Sequence, residues 1–223
     1  MVRRFSHVVP RESIAAVRSA LQAASPAPVP DADGSPRLLP ADHPAVAELG
    51  PVLVSAVRAH PEVEPSLYPA AFSLPAFYRF APSTSAGPQL AGALASPGPK
   101  LRVDLAILLW LSGKAAYDGR DVVLDEGGAV TRWSAEGGEI VAFPAGARWE
   151  VEPVTRGELL LCLLLVQSLV AGEVERRILF DFNCALQEFE RRRASSAHAR
   201  TMRRVYNGLV RMWAELPRQS SAP

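Results

Sequence analysis

Side chains able to do metal, redox or nucleophilic chemistry are few in this sequence and poorly spaced for it. The histidines are His7, His43, His60 and His198, and the thiols are Cys162 and Cys184. A metal site needs imidazole, thiolate or carboxylate groups converging at fixed spacing, and a hydrolytic triad needs a nucleophile beside its base. No histidine falls between His60 and His198, so each of the four reads as a surface or helix residue rather than a ligand. Gly87, Gly92 and Gly98 do not follow a strand in the pattern a phosphate-binding loop requires. Cys162 lies inside the apolar run Leu159 to Val166 and Cys184 inside a helical pattern, which predicts two reduced, buried thiols and no disulfide framework.

The elements that would position any site follow from periodicity. Residues 12–24 predict a helix with Ile14, Val17 and Leu21 on one side, and Pro44 to His60 a second with Val46, Leu49, Val52, Leu53, Ala56 and Val57 inward. Between them the stretch 25–40, with five prolines and a glycine, predicts a surface loop. From Ser73 the pattern becomes short β-like runs: Leu74 to Phe80, Arg102 to Leu111, Asp121 to Leu124, Ala129 to Trp133, Glu139 to Phe143 and Leu159 to Leu169. Runs punctuated this often by Gly and Pro predict a sandwich or barrel. Asp125-Glu126-Gly127-Gly128 predicts a hairpin turn. Leu105 to Leu111 and Leu159 to Val166 are apolar on both alternating faces and should be central strands. After Ala171 the helical period returns at Val174, Ile178, Phe182, Leu186 and Phe189, and again at Met202, Val205, Tyr206, Leu209 and Trp213. The arginines between them, Arg191, Arg192, Arg193 and Arg200, read as a solvated helix end.

The expected organisation is a helical N-terminal segment over 1–72, a β core over 73–170, C-terminal helices over 171–216 and a disordered tail over 217–223. With 24 Lys+Arg against 23 Asp+Glu and 48% hydrophobic residues, the chain can bury a core and has no net field to gather polyanions, so nucleic acid is not an expected partner. Its longest apolar run is far short of the roughly 20 residues a membrane helix needs. The start has a basic pair and no apolar stretch behind it, so neither a signal peptide nor a membrane partner is expected and the expected location is cytoplasmic.

Six segments carry a resemblance: Phe77-Tyr-Arg-Phe, Leu101-Arg-Val-Asp-Leu-Ala-Ile-Leu-Leu-Trp-Leu-Ser, Tyr117-Asp-Gly, Pro153-Val-Thr-Arg-Gly, Val166-Gln-Ser and Val205-Tyr-Asn-Gly-Leu-Val-Arg-Met-Trp. In this order the chain resembles the PKHD-type hydroxylases, prolyl-4-hydroxylase-like oxygenases that depend on Fe(II) and 2-oxoglutarate. The resemblance implies a mainly β fold with flanking helices, a double-stranded β-helix (jelly roll, cupin-like) followed by a C-terminal helical segment. It also implies where iron and cosubstrate would sit. The His-x-Asp pair falls at Gln89 and Ala91, the distant His at Trp149, and the basic residue for the cosubstrate's far carboxylate at Leu159. An amide is at best a weak neutral ligand, and Ala, Leu and a donor-only indole bind no iron.

These positions lead to the expectation of a catalytically silent member of the family. It would be a structural or regulatory subunit that binds no cofactor and pairs with an active paralogous oxygenase, or with itself, in a biosynthetic pathway. In that picture Fe(II) and 2-oxoglutarate belong to the partner, and Tyr206, Leu209 and Trp213 are candidates for the docking surface. The alternative is an enzyme or small-molecule binding protein that reuses the jelly-roll cavity without iron, drawing on Arg79, Gln89, Arg102, Asp104, Arg148 and Glu150. Arg102 and Asp104, two apart on one strand, would face the same side as either a structural ion pair or a pocket lining.

Overall fold

The computed structural model describes residues 2–24, 29–30, 36–37, 39, 42–82, 86–91, 100–119, 122–193 and 196–215. In chain order the elements are β1 (Arg3–Phe5), α1 (Arg11–Ala24), β2 (Val29–Pro30), β3 (Pro36–Arg37), α2 (Pro44–Ala59), α3 (Val63–Leu67), β4 (Pro69–Phe72), β5 (Ala76–Phe80) and β6 (Ala86–Leu90). Then come β7 (Leu105–Trp110), a 3-10 turn (Lys114–Ala116), β8 (Tyr117–Gly119), β9 (Val122–Asp125), β10 (Val130–Trp133), β11 (Ile140–Pro144), β12 (Arg148–Val151), β13 (Val154–Gly157), β14 (Leu159–Ser168), α4 (Glu173–Arg193) and α5 (Ala197–Trp213).

The strands form a large sheet ordered β1-β11-β7-β14-β5-β3-β2, with β4 also on β14, a smaller sheet ordered β10-β9-β12-β6, and the ribbon β13-β8. The pairings are antiparallel, and the two main sheets with their helices make the jelly-roll arrangement that the resemblance implies. Alternation along β7 and β14 builds both cores at once. Leu105, Ile107, Leu109, Leu160, Cys162 and Leu164 face α1 and α2, meeting Ile14, Val17, Leu21, Val46, Leu53 and Val57. Ala106, Leu108, Trp110, Leu159 and Leu161 face the small sheet and meet Leu124, Trp149 and Val151. A strand buried on both faces has no polar side to show, which is why these two runs are apolar throughout.

The hairpin between β9 and β10 turns at Gly127 and Gly128, both at positive φ. Gly157 also has positive φ, and a Cβ there would run into the Ala116 carbonyl, so glycine is required where the chain turns into β14.

Several expectations are corrected. The N-terminal segment is not purely helical, because β1 and β4 join the large sheet. Within the Pro-rich stretch, residues 29–30 and 36–37 form a strand pair on that sheet's edge and Leu39 is buried, whereas 25–28, 31–35, 38 and 40 lie outside the described residues. Short extended segments pair by tertiary context, and their composition alone does not announce it. Val52 is 48% exposed instead of inward, because Val46, Leu49, Leu53 and Val57 already fill the stripe that α2 turns to the sheet. Cys184 is exposed, whereas Cys162 is buried as read. The tail over 217–223 lies outside the described residues.

Candidate functional site

The space between the two sheets is where the resemblance places a metal, and the register brings the assigned positions there. Gln89 on β6 is the direct partner of Trp149 on β12, and Leu159 on β14 pairs with Phe80 on β5 within the large sheet on the other side of the gap. Ala91 follows the end of β6 and packs beside Leu101 and Val103, away from Trp149. Trp149 is 2% exposed and meets Tyr78 of the opposite sheet edge-on, centroids 5.8 Å apart at 75°. Tyr78 in turn stacks on Phe80 at 6.4 Å. Aromatic contacts from one sheet to the other therefore occupy the ground between the assigned ligand positions.

The donor set tests poorly against an Fe(II) ion. Around Trp149 the buried neighbours are Phe80, Leu108, Leu124, Phe143, Val151 and Leu159, and the Trp110 indole nitrogen is buried with no hydrogen-bond partner. That nitrogen donates only and cannot ligate a cation. Among the described residues no group of three His, Cys, Asp or Glu is arranged to hold a metal. Gln89, Ala91 and Trp149 do not fit the ion, and Leu159, fully buried, does not fit a charged carboxylate.

The other predicted residues disperse. Arg79 pairs in register with Leu160, on the helix-covered face and not between the sheets, and it is held by Glu158. Arg102 donates to both oxygens of Asp104, at 2.8 and 3.1 Å, to the Ser168 carbonyl at 3.1 Å and to Glu215 at 2.9 Å. The hydrogen bond to Asp104, partly opposed by burial, raises the Arg102 pKa above its ordinary value. The ion pair is thus the structural one, tying β14 to the end of the C-terminal segment. Asp104 also borders a cavity of about 530 Å³ with Glu173 and Arg176. Arg148 and Glu150 alternate with Trp149 and line a smaller hollow of about 240 Å³ that also borders Asp125 and Arg132.

The histidines take surface or capping roles. His43 Nδ1 accepts from the Ala45 amide at the start of α2, His60 lies edge-on to Phe5, and His7 and His198 are exposed.

Of the three residues expected at a docking surface, Tyr206 is buried and Leu209 and Trp213 are partly buried. They pack against Val170, Leu179 and Leu186 of the same chain, and the Tyr206 hydroxyl meets that of Tyr68 at 2.6 Å. Burial and that contact push the Tyr68 hydroxyl pKa well up. Helical spacing marks an apolar face without saying whether α4 of the same chain or another molecule covers it. Sequence reasoning missed Tyr68 and Ser168. Neither belongs to a motif, and both matter only through pairing distant in sequence.

Residues 174–215 match the family model of the PKHD-type hydroxylase C-terminal domain. A PKHD-type hydroxylase of Paraburkholderia xenovorans is 32% identical over 178 residues, 78% of each chain. Among solved structures, a 2OG-Fe(II) oxygenase family oxidoreductase from Burkholderia pseudomallei superposes with TM-score 0.52 at 16% identity, over 74% of this chain and 85% of that one. The HygX protein of Streptomyces hygroscopicus with nickel and 2-oxoglutarate bound gives TM-score 0.51 at 13% identity, over 75% and 81%. These two likenesses concern the fold.

The comparisons overturn the expectation of a silent regulatory subunit. The curated relative is named a hydroxylase. The assignment of Fe(II) and 2-oxoglutarate to a partner alone is corrected too, because in HygX a jelly roll of this kind itself carries metal and 2-oxoglutarate. No helix among the described residues is long and apolar enough to cross a membrane. Sequence identity at this level over three quarters of the chain, with the C-terminal domain matched in place, makes the protein a member of the PKHD-type hydroxylase family.

Proposed function

We propose that the chain acts as a hydroxylase-type oxidoreductase of the class its relatives are named for. The observation that carries this reading is the 32% identity over 178 residues to a relative named a hydroxylase. The retained two-sheet fold and C-terminal helices support it. One physical argument opposes it: Gln89, Ala91, Trp149 and Leu159 neither hold a metal nor pair a dicarboxylate, so these four take no part in either task. Trp149, Tyr78 and Phe80 instead exclude water between the sheets, and Ser112 fixes the start of β14 by accepting from the Leu160 amide and donating to the Glu158 carbonyl, each at 3.0 Å.

The deciding experiment is an anaerobic Fe(II) titration of the purified chain with 2-oxoglutarate present, followed by admission of oxygen and measurement of succinate. The reading expects stoichiometric iron and succinate above the metal-free control. Iron lost on gel filtration together with no succinate above that control overturns it.

A further inference from the structure

A cavity of about 530 Å³ lies at the rim of the jelly roll, between the turn joining β9 to β10, the turn joining β11 to β12, and the start of α4. Ligand pockets ordinarily run from about 300 to 1,000 Å³. The cation on its border is Arg176, which is only 5% exposed. Through Nη1 alone this side chain donates to the Val170 and Ala171 carbonyls, at 2.7 Å each, which fastens the guanidinium to the segment entering α4. Its Nε and Nη2 donate to no atom of the described residues, and neither is sealed inside the protein. The other hollow that Arg176 borders holds about 10 Å³, so the larger cavity is the space this edge can serve. Guanidinium groups buried to this degree ordinarily have their donors engaged. Arg176 keeps open the edge whose two parallel N–H groups fit a carboxylate.

The rest of the border decides what carries that carboxylate. Glu126 and Glu173 bring negative charge to the same cavity, whereas Asp104 beside them is neutralised by Arg102. Whatever else the two glutamates bond to, their charge repels a simple anion and attracts a cationic group. One small molecule with both a carboxylate and an ammonium meets both demands. Val103, Pro144, Ala145, Ala147 and Ala171 add apolar wall beside these charges, which suits a hydrocarbon side chain. Burial depresses the Arg176 pKa, and the charges of Asp104 and Glu173 restore it only in part, which agrees with a cation that the protein has not fully neutralised.

We propose that this cavity binds a zwitterionic amino acid with an apolar side chain, its carboxylate on the Nε–Nη2 edge of Arg176 and its ammonium toward Glu126 and Glu173. The inference stands apart from the oxidoreductase reading, since binding is measured on the metal-free chain.

The test is calorimetric titration of the full metal-free chain with L-leucine, with 4-methylpentanoate, which lacks the ammonium, and with 3-methylbutylamine, which lacks the carboxylate. Expected is one leucine per chain, with each analogue weaker by about tenfold or more. Glu126→Gln, at an exposed turn, should weaken leucine several-fold, and Arg176→Lys, which keeps the charge and loses the two-pronged edge, by about tenfold. The Arg176 Nε–H resonance of the wild type should also shift during the leucine titration, a readout that needs no variant to fold. Four results overturn the proposal: no leucine binding up to about 10 mM, an analogue that binds as tightly as leucine, a leucine affinity that Glu126→Gln does not lower, or leucine binding that leaves the Arg176 resonance and the Arg176→Lys affinity unchanged. The first would mean that solvent alone serves the open edge of Arg176.

Discussion

The interior between the sheets and the seam where β14 meets the C-terminal helices are both buried, and they are built from opposite materials. Around Trp149 the contacts are aromatic and aliphatic. At the seam, Asp104 accepts from Arg102 and from the Ser168 amide at 2.8 Å, and Ser168 Oγ donates to the Leu67 carbonyl at 2.7 Å. Arg176 donates to the Val170 and Ala171 carbonyls at 2.7 Å. Between the sheets, the positions that the resemblance marks are packed by aromatic and aliphatic side chains. The dense polar network at the seam lies where helices must be attached to a sheet, so polarity there serves assembly.

The interior should give the largest response to a single substitution. Trp149→Ala removes the ring that spans the two sheets, and large-to-small changes of this kind cost about 3–5 kcal/mol. Urea unfolding of the variant measures it. A cost below about 1 kcal/mol would show a site that collapses without penalty or was never tightly packed, and the contrast with the seam would fail.

The seam comes next. Asp104→Ala takes away two oxygens that receive Arg102 and the Ser168 amide, leaving a buried N–H unmet, at about 2–3 kcal/mol. Arg102 is partly exposed and keeps Glu215, which holds the figure below that of a fully buried pair. Chemical denaturation of Asp104→Ala and of Arg102→Met, combined in a double-mutant cycle, isolates the pair. A coupling near zero would reduce the network to a set of independent surface contacts.

How much of this contrast the sequence displayed depends on the physics behind each part. The core strands were legible because burial on both faces leaves an unbroken apolar run, and α1, α2, α4 and α5 because burial on one side leaves a 3.6-residue period. Strands β1, β2 and β3 were not, since three- and two-residue segments carry no period of their own and exist only through pairing. The filling of the interior was partly legible, because Trp149 and Leu159 stand in positions that the resemblance marks. The seam was not, because Arg102, Asp104, Ser168 and Glu215 converge from points up to 113 residues apart. Tyr206 taught the converse lesson, since its helical spacing marked an apolar face without saying that Tyr68 of the same chain meets it.

Tyr206→Phe sharpens the seam's share. It preserves the stacking on Phe182 and removes only the hydroxyl that meets Tyr68, so about 1 kcal/mol should be lost. Thermal unfolding with an unchanged far-UV spectrum is the check. A neutral result would mean that Tyr68 finds water, and that the C-terminal pair is held by apolar area alone.

The smallest effect concerns acid. Burial alone would raise the Glu139 pKa, but the Glu136 amide, Arg4 and Ser6 more than offset it, and the folded value lies below the ordinary one. A depressed folded pKa gives stability that is complete above the unfolded value and disappears as pH falls through the folded one. With Arg4 39% exposed, the amount is under about 1 kcal/mol. Urea midpoints measured from pH 7 downward should therefore fall more steeply in the wild type than in Glu139→Gln, with the two curves converging in acid. Trp149 is held by aromatic and aliphatic contacts, so the slope of Trp149→Leu against pH should match the wild type. If that variant instead flattens the acid limb as Glu139→Gln does, charge and packing are coupled across β11, and the division between an apolar interior and polar borders does not hold.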